Sequence, residues 1–344
     1  MKNKTILQYL ISFVLALLSF FSVVTTSLAQ PSIVISGAVK QTITLAIEDL
    51  NRMQSLSVRL NEVKADGNYE GVFKYTGVPL RSILEMAVIE KKKDAAFNKF
   101  NDLAIVVKSR WGGTSILSWG EVFYRNPGEF IIALSATPIN AHHDCNSCHF
   151  NPELYESRLA KLSRPIGFPR LIATGDFYTD RSLEGVDRIE IIDLKPAAAK
   201  AKTGKALFSP SFNICTGGKT IGAGINDLST YPHEKVVTTG VGDGIGYHGL
   251  KSFSGVPLTL LLEKAGVETD PKTVFLVTSP DGYRSTLSYG ELFYTLQGRR
   301  ILIADGVGNF TLRKDGRFIM VVPDDQAADR WVKAVEGIEI LRVK

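Results

Sequence analysis

Cysteine is scarce in this chain: there are three in 344 residues, Cys145, Cys148 and Cys215. That excludes the disulfide-dense scaffold by which many small secreted domains hold together. Long apolar runs are scarcer still, with one near the N-terminus and none elsewhere, which excludes a polytopic membrane protein. Lysine and arginine are scattered without a stripe, so the formal charge of +5 carries no nucleic-acid footprint. What remains is ordinary globular composition, 44% apolar, 22% charged and 9% aromatic, which sets aside disordered and collagen-like chains. A chain of this length carries about two domains.

Residues 1–29 read as a secretory signal. Lys2 and Lys4 form a basic start, Leu10 to Val24 an uncharged apolar stretch, and Ser27-Leu28-Ala29 a small-x-small site with cleavage before Gln30. An uncleaved anchor is the rival reading, because Ile6 to Val24 spans 19 residues, near the lower length of a membrane span. Membrane association is expected only in that case. Cleavage lowers the formal charge to +3, and the mature chain is expected in the periplasm or outside the cell, an oxidising setting.

The remainder is a tandem repeat. Gly77-Val78-Pro79-Leu80 lies over Gly255-Val256-Pro257-Leu258 at an offset of 178, which holds without a gap back to Asp49-Leu50 over Asp227-Leu228. Further on, Ser118-Trp119-Gly120-Glu121-Val122-Phe123-Tyr124 matches Ser288-Tyr289-Gly290-Glu291-Leu292-Phe293-Tyr294. Asp180-Arg181 matches Asp329-Arg330, and Ile189-Glu190-Ile191 matches Ile338-Glu339-Ile340. The copies span 32–194 and 206–344, joined by 195–205, a run without bulky apolar residues that reads as a linker.

Each copy reads as mixed α and β. Ile33 to Val39, Leu103 to Lys108, Val274 to Thr278 and Ile301 to Ala304 suit strands. Pro79 opens a helix with Ile83, Leu84, Met86 and Ala87 on one side, and Pro257 opens its equivalent with Leu260, Leu261, Leu262 and Ala265. The shared glycine, proline and aromatic positions read first as scaffold, and Met53, Met86 and Met320 as core.

The order of these motifs is specific. Asp-Leu, then Gly-Val-Pro-Leu with Leu261-Leu262-Glu263-Lys264-Ala265-Gly266, then Ser279-Pro280-Asp281-Gly282-Tyr283, then Ser288 to Leu292, then Arg317 to Pro323 and Trp331-Val332-Lys333. This order resembles the molybdopterin-binding oxidoreductase domain of the sulfite oxidase family, over nearly all of copy two and most of copy one. The resemblance implies an α+β fold class: two tandem, mostly-β mixed domains of that type. It also implies molybdenum held by a pterin dithiolene and one cysteine, between the Asp-Leu and Gly-Val-Pro-Leu motifs. That segment is Val58 to Tyr75 in copy one and Val236 to Phe253 in copy two, and neither contains cysteine. Molybdenum ligation is therefore not expected, since such a site wants a soft thiolate. Retention of the pterin alone stays open.

Copy one holds an insertion, about 141–165, that copy two lacks. It contains His142-His143-Asp144-Cys145-Asn146-Ser147-Cys148-His149. Cys-x-x-Cys-His is the attachment pattern of c-type haem: two thiols add across the haem vinyl groups and the adjacent imidazole meets iron from the proximal face. A thioredoxin-type redox pair, a zinc site using both thiols with His142, His143 or His149, and a plain disulfide are the rivals. The expectation is one haem c on Cys145 and Cys148 with His149 as proximal iron ligand. His142, His143 and His248 are weak candidates for a distal or partner ligand, and His233 is the other histidine of copy two. Cys215, left single, reads as a buried structural thiol. The chain thus reads as an exported redox or electron-transfer protein with a redox partner protein, an oxidoreductase if an enzyme. A non-catalytic ligand- or partner-binding module, and a molybdopterin enzyme with an unusual metal shell, are the alternatives.

Overall fold

Short β-branched and aliphatic runs, cut by glycine, proline and Asp-Gly pairs, favour strands over helices. The computed structural model describes residues 31–139, 164–195, 207–242, 246–312 and 316–343 and is mostly β, with mixed sheets and few short helices. From Ser32 onward the chain forms one compact unit.

The first half supplies β1 (Ser32–Gly37), β2 (Ile43–Ala46), β3 (Leu56–Val63), β4 (Tyr69–Pro79), β5 (Leu103–Ser109), β6 (Thr114–Ser118), β7 (Phe130–Pro138), β8 (Arg170–Ala173) and β9 (Val186–Asp193). Its helices are α1 (Ile47–Asn51), α2 (Leu80–Met86) and α3 (Trp119–Phe123). The second half supplies β10 (Phe212–Thr216), β11 (Lys219–Ile225), β12 (Glu234–Gly242), β13 (Gly246–Pro257), β14 (Thr273–Thr278), β15 (Arg284–Ser288), β16 (Leu302–Val307), β17 (Phe310–Thr311), β18 (Ile319–Val321), β19 (Val332–Lys333) and β20 (Gly337–Arg342). Its helices are α4 (Leu258–Lys264), α5 (Tyr289–Phe293) and α6 (Leu296–Arg299).

Strand order repeats between the halves. One five-stranded sheet runs β2-β1-β9-β5-β6, the other β11-β10-β20-β14-β15. In each, the first strand of the half pairs parallel with its last, Val34 beside Arg188 and Asn213 beside Gly337, and the remaining pairs are antiparallel. The companion sheets run β3-β4-β7-β8 and β12-β13-β16-β18-β19, with β17 on β16. Their registers coincide as well, with Val58 opposite Tyr75 and Val236 opposite Phe253.

The shared Gly-Val-Pro-Leu has a packing cause. A Cβ on Gly77 would fall 2.1 Å from the Ile132 carbonyl oxygen, and one on Gly255 would fall 2.4 Å from that of Ile303. Only glycine lets β4 and β13 approach β7 and β16 this closely. The proline that follows, extended at φ −53° or −52°, ends the strand and starts the helix.

Separate apolar cores lie within each half. One gathers Ile33, Ile83, Leu84, Leu117 and Ile189 among others, and the second Phe212, Leu261, Leu262, Phe275 and Met320. A smaller cluster joins the halves: Ala104, Val106, Ile116 and Leu194 pack with Val274 and Val343.

Several sequence expectations need correction. Met86 is 48% exposed, because in so short a helix it falls one position off the buried stripe of Leu80, Ile83, Leu84 and Ala87. The first strand stops at Gly37, whose φ of +95° breaks it before Val39. Cys215 is half-buried rather than buried, since strand alternation puts Ile214 inward and turns its neighbour away.

Candidate functional site

Cys145, Cys148, His149, His142 and His143 lie outside the described residues. Their flanks are described. The Ile139 amide donates to the Val72 carbonyl at 2.8 Å, extending the β4–β7 pairing. On the far side Arg164 ion-pairs with Glu62 on β3 at 2.6 Å and with Glu184 at 2.7 Å. His248 is exposed on β13, its Nε2 2.7 Å from the Gly242 carbonyl oxygen. His233 lies with Nε2 3.1 Å from Asp305, a hydrogen bond that raises its pKa. The Cys215 Sγ lies 3.5 Å from Thr220 Oγ1.

The repeated Ser-aromatic-Gly-Glu motif builds a buried ion cluster between the halves. In copy one it forms a capping box: the Glu121 amide donates to Ser118 Oγ at 3.1 Å, and the Ser118 amide donates to Glu121 Oε1 at 2.6 Å. In copy two the Glu291 amide donates to Ser288 Oγ at 3.1 Å. Each serine hydroxyl then donates across to the other copy's glutamate, Ser118 to Glu291 at 2.7 Å and Ser288 to Glu121 at 2.6 Å. Arg181 donates to Glu121 at 2.8 Å and clamps Asp176, while Arg330 donates to Glu291 at 2.7 Å and clamps Asp325. The glycine of the motif is there for the arginine of the opposite copy. A Cβ on Gly120 would lie 2.1 Å from Arg330, and one on Gly290 would lie 2.2 Å from Arg181.

One residue breaks the symmetry. Arg125 donates to Glu291 at 2.9 Å, and the position matching it in copy two is Thr295. Burial pushes both glutamates toward the neutral form. For Glu291 the attraction of Arg330 and Arg125 wins, holding its carboxyl below the ordinary range. For Glu121, burial outweighs Arg181, and the charge of Glu291 adds to the rise. With its carboxylates committed to arginines and serines, this cluster is a joint between the halves and presents no open reactive group.

Two clefts lie in equivalent places of the two copies. In copy one, Lys64, Glu70, Arg164, Arg170, Thr179, Ser182 and Glu184 line a polar hollow of about 340 Å³. In copy two, a cleft of about 280 Å³ includes Gly242, His248, Ala328, Trp331 and Lys333 at the matching positions. The hairpins β3–β4 and β12–β13 border them, the segments in which the family resemblance implies a metal-binding cysteine. No thiol lines either cleft among the described residues.

The copy-one hollow is internally neutralised. Glu62 accepts from Arg170 at 2.7 Å, from Arg164 at 2.6 Å and from the Tyr75 hydroxyl, and burial drives the Tyr75 pKa upward. Lys64 pairs with Glu70 at 2.8 Å, and that bond raises the pKa of the lysine. Neither the cluster nor these clefts was visible as such in the sequence. The matched Asp180-Arg181 and Asp329-Arg330 were the available signal for the first, and the Val58–Tyr75 and Val236–Phe253 segments for the second.

No family model matches the chain, and no curated protein sequence matches it. Among solved structures, the sulfane dehydrogenase SoxCD from Paracoccus pantotrophus is similar at a TM-score of 0.33 and 13% sequence identity, over 91% of this chain and 78% of that one.

Proposed function

We propose that this chain is an exported electron-transfer protein carrying one covalent c-type haem, attached at Cys145 and Cys148 with His149 as the proximal ligand to iron. The observation that carries the reading is the donor set itself: two thiols and an imidazole in Cys-x-x-Cys-His spacing, behind an N-terminal secretory pattern. When bound, the haem would supply one-electron chemistry, its potential set by axial ligands and surroundings. The described residues on either side of the motif are held by the fold. Ile139, before it, is hydrogen-bonded to β4, and Arg164, after it, is ion-paired with Glu62 and Glu184. A redox partner protein follows from a role in electron transfer, and any catalytic role is that of an oxidoreductase.

Neither copy is proposed to ligate molybdenum. The described side chains lining the clefts are lysine, arginine, histidine, carboxylate, hydroxyl, aromatic and aliphatic groups, which do not replace a soft thiolate. Elemental analysis of protein from a molybdenum-sufficient host tests this directly, with a metal content far below one per chain expected. The haem is tested in a host that matures c-type cytochromes. Wild-type protein should show a Soret band that shifts on reduction by dithionite, and Cys145→Ser with Cys148→Ser should lose the covalent chromophore. A colourless wild type with two free thiols, or with stoichiometric zinc, contradicts the proposal. The ligand-binding reading is favoured by a separate observation, the copy-two cleft.

A further inference from the structure

We propose that the copy-two cleft is a binding site for a compact anion with acceptor oxygens, an inorganic oxoanion or a small dicarboxylate. The inference does not rest on the haem.

Internal comparison shows what changed. At the matched positions, the three carboxylates that hold the cations of copy one are all absent from copy two: Glu62, Glu70 and Glu184 are replaced by Gly240, His248 and Lys333. The buried pair beside them is replaced too. Tyr75 becomes Phe253, and Arg170, opposite Ala133, becomes Ile319, opposite Ala304. Phe253 and Ile319 join an apolar cluster with Val236, Leu302 and Val321, against which Trp331 packs. Beside the cleft, copy two therefore packs apolar side chains where copy one buries the Arg170–Glu62 ion pair, and Trp331 belongs both to that packing and to the cleft lining.

Lys99, Lys251 and Lys333 line the cleft against Asp281 and Asp329. Three lysines over two aspartates leave a surplus positive charge. Lys99 comes from the other half of the chain and approaches Asp329 only to 3.9 Å.

A second observation is independent of charge. Ser279 lines the cleft at 4% exposure, and its hydroxyl has no hydrogen-bond partner. An unmet buried hydroxyl calls for a partner at that point. Its match in copy one, Ser109, has one, since the Trp111 amide donates to Ser109 Oγ at 3.1 Å. The Ser279 hydroxyl thus lines the copy-two cleft without the kind of partner that Ser109 has.

Size narrows the ligand. A volume of about 280 Å³ lies just below the roughly 300–1,000 Å³ typical of drug-sized sites. That suits an anion of a few heavy atoms rather than a nucleotide or a pterin.

The test is calorimetric titration of the full mature chain at low salt with sodium phosphate and, separately, sodium malonate. At least one should bind saturably at one per chain. Lys251→Ala with Lys333→Ala should weaken binding at least about tenfold, and Ser279→Ala several-fold, as expected for lost charge-assisted and neutral hydrogen bonds. Lys64→Ala, in the copy-one hollow, should leave affinity unchanged. Phosphate alone binding identifies an oxoanion site, and malonate alone a carboxylate site. Failure of both anions to bind, or binding unmoved by the double lysine variant, overturns the proposal.

Discussion

Glu121 and Glu291 occupy matched positions and differ in charge preference because Arg125 serves only one of them. A carboxylate held below its ordinary pKa contributes stability above that ordinary value, and the contribution is lost as pH falls through the folded pKa. Glu291→Gln should therefore cost about 3–5 kcal/mol near neutral pH, by leaving Arg330 and Arg125 short of a buried counter-charge. The deficit relative to wild type should shrink in acid. Glu121 has the opposite sign: its contribution is present below the ordinary carboxylate pKa and is lost as pH rises through the folded value. Glu121→Gln should accordingly cost less than Glu291→Gln at neutral pH. Urea titrations of both variants at about pH 4 and about pH 7 check the ordering, and equal costs at both values would contradict it. These roles were not legible from sequence. The matched Glu marked a helix start, but nothing in the pattern says that the facing arginine comes from the far end of the other copy. The misplaced expectations for Met86 and Cys215 share a cause. Apolar character was read as burial, whereas one position in a short helix or strand decides which face a side chain takes.

At the scale of elements the sequence was more readable. The Gly-Val-Pro-Leu repeat marked a strand passing into a helix in both copies, and the structure supplies the reason, a backbone approach that no Cβ survives. Gly77→Ala and Gly255→Ala should each destabilise by about 1–3 kcal/mol, the range for overpacking. Ser118→Ala tests the shared joint. An ordinary N-cap loss costs about 1 kcal/mol. Here the same hydroxyl also donates to buried Glu291, so the loss should exceed that of an exposed cap. A loss no larger than an ordinary cap would show that the cross-copy bond adds nothing. The offset of 178 already sets Glu62 over Gly240 and Glu70 over His248; what the sequence pattern did not show is that Glu184 and Lys333, matched at a different offset, line the same clefts.

At the scale of the molecule, two copies share an apolar cluster and an ion cluster, and neither copy buries these faces alone. Thermal unfolding is therefore expected as one transition rather than two, and a resolved pair of transitions would contradict a shared joint. Copy two completes the same strand order in its five-stranded sheet without a counterpart to the motif-bearing insertion. Cys145→Ser with Cys148→Ser should leave the protein folded, with a near-native melt by circular dichroism. The proposed haem itself is tested most directly by intact mass after denaturation and solvent extraction, on protein from a cytochrome c-maturing host. The expected species is a chain beginning at Gln30 that carries the mass of one haem through denaturation, a mass absent from the double serine variant. A mature chain of unmodified mass, obtained from a host that does attach haem to a control cytochrome, would contradict it.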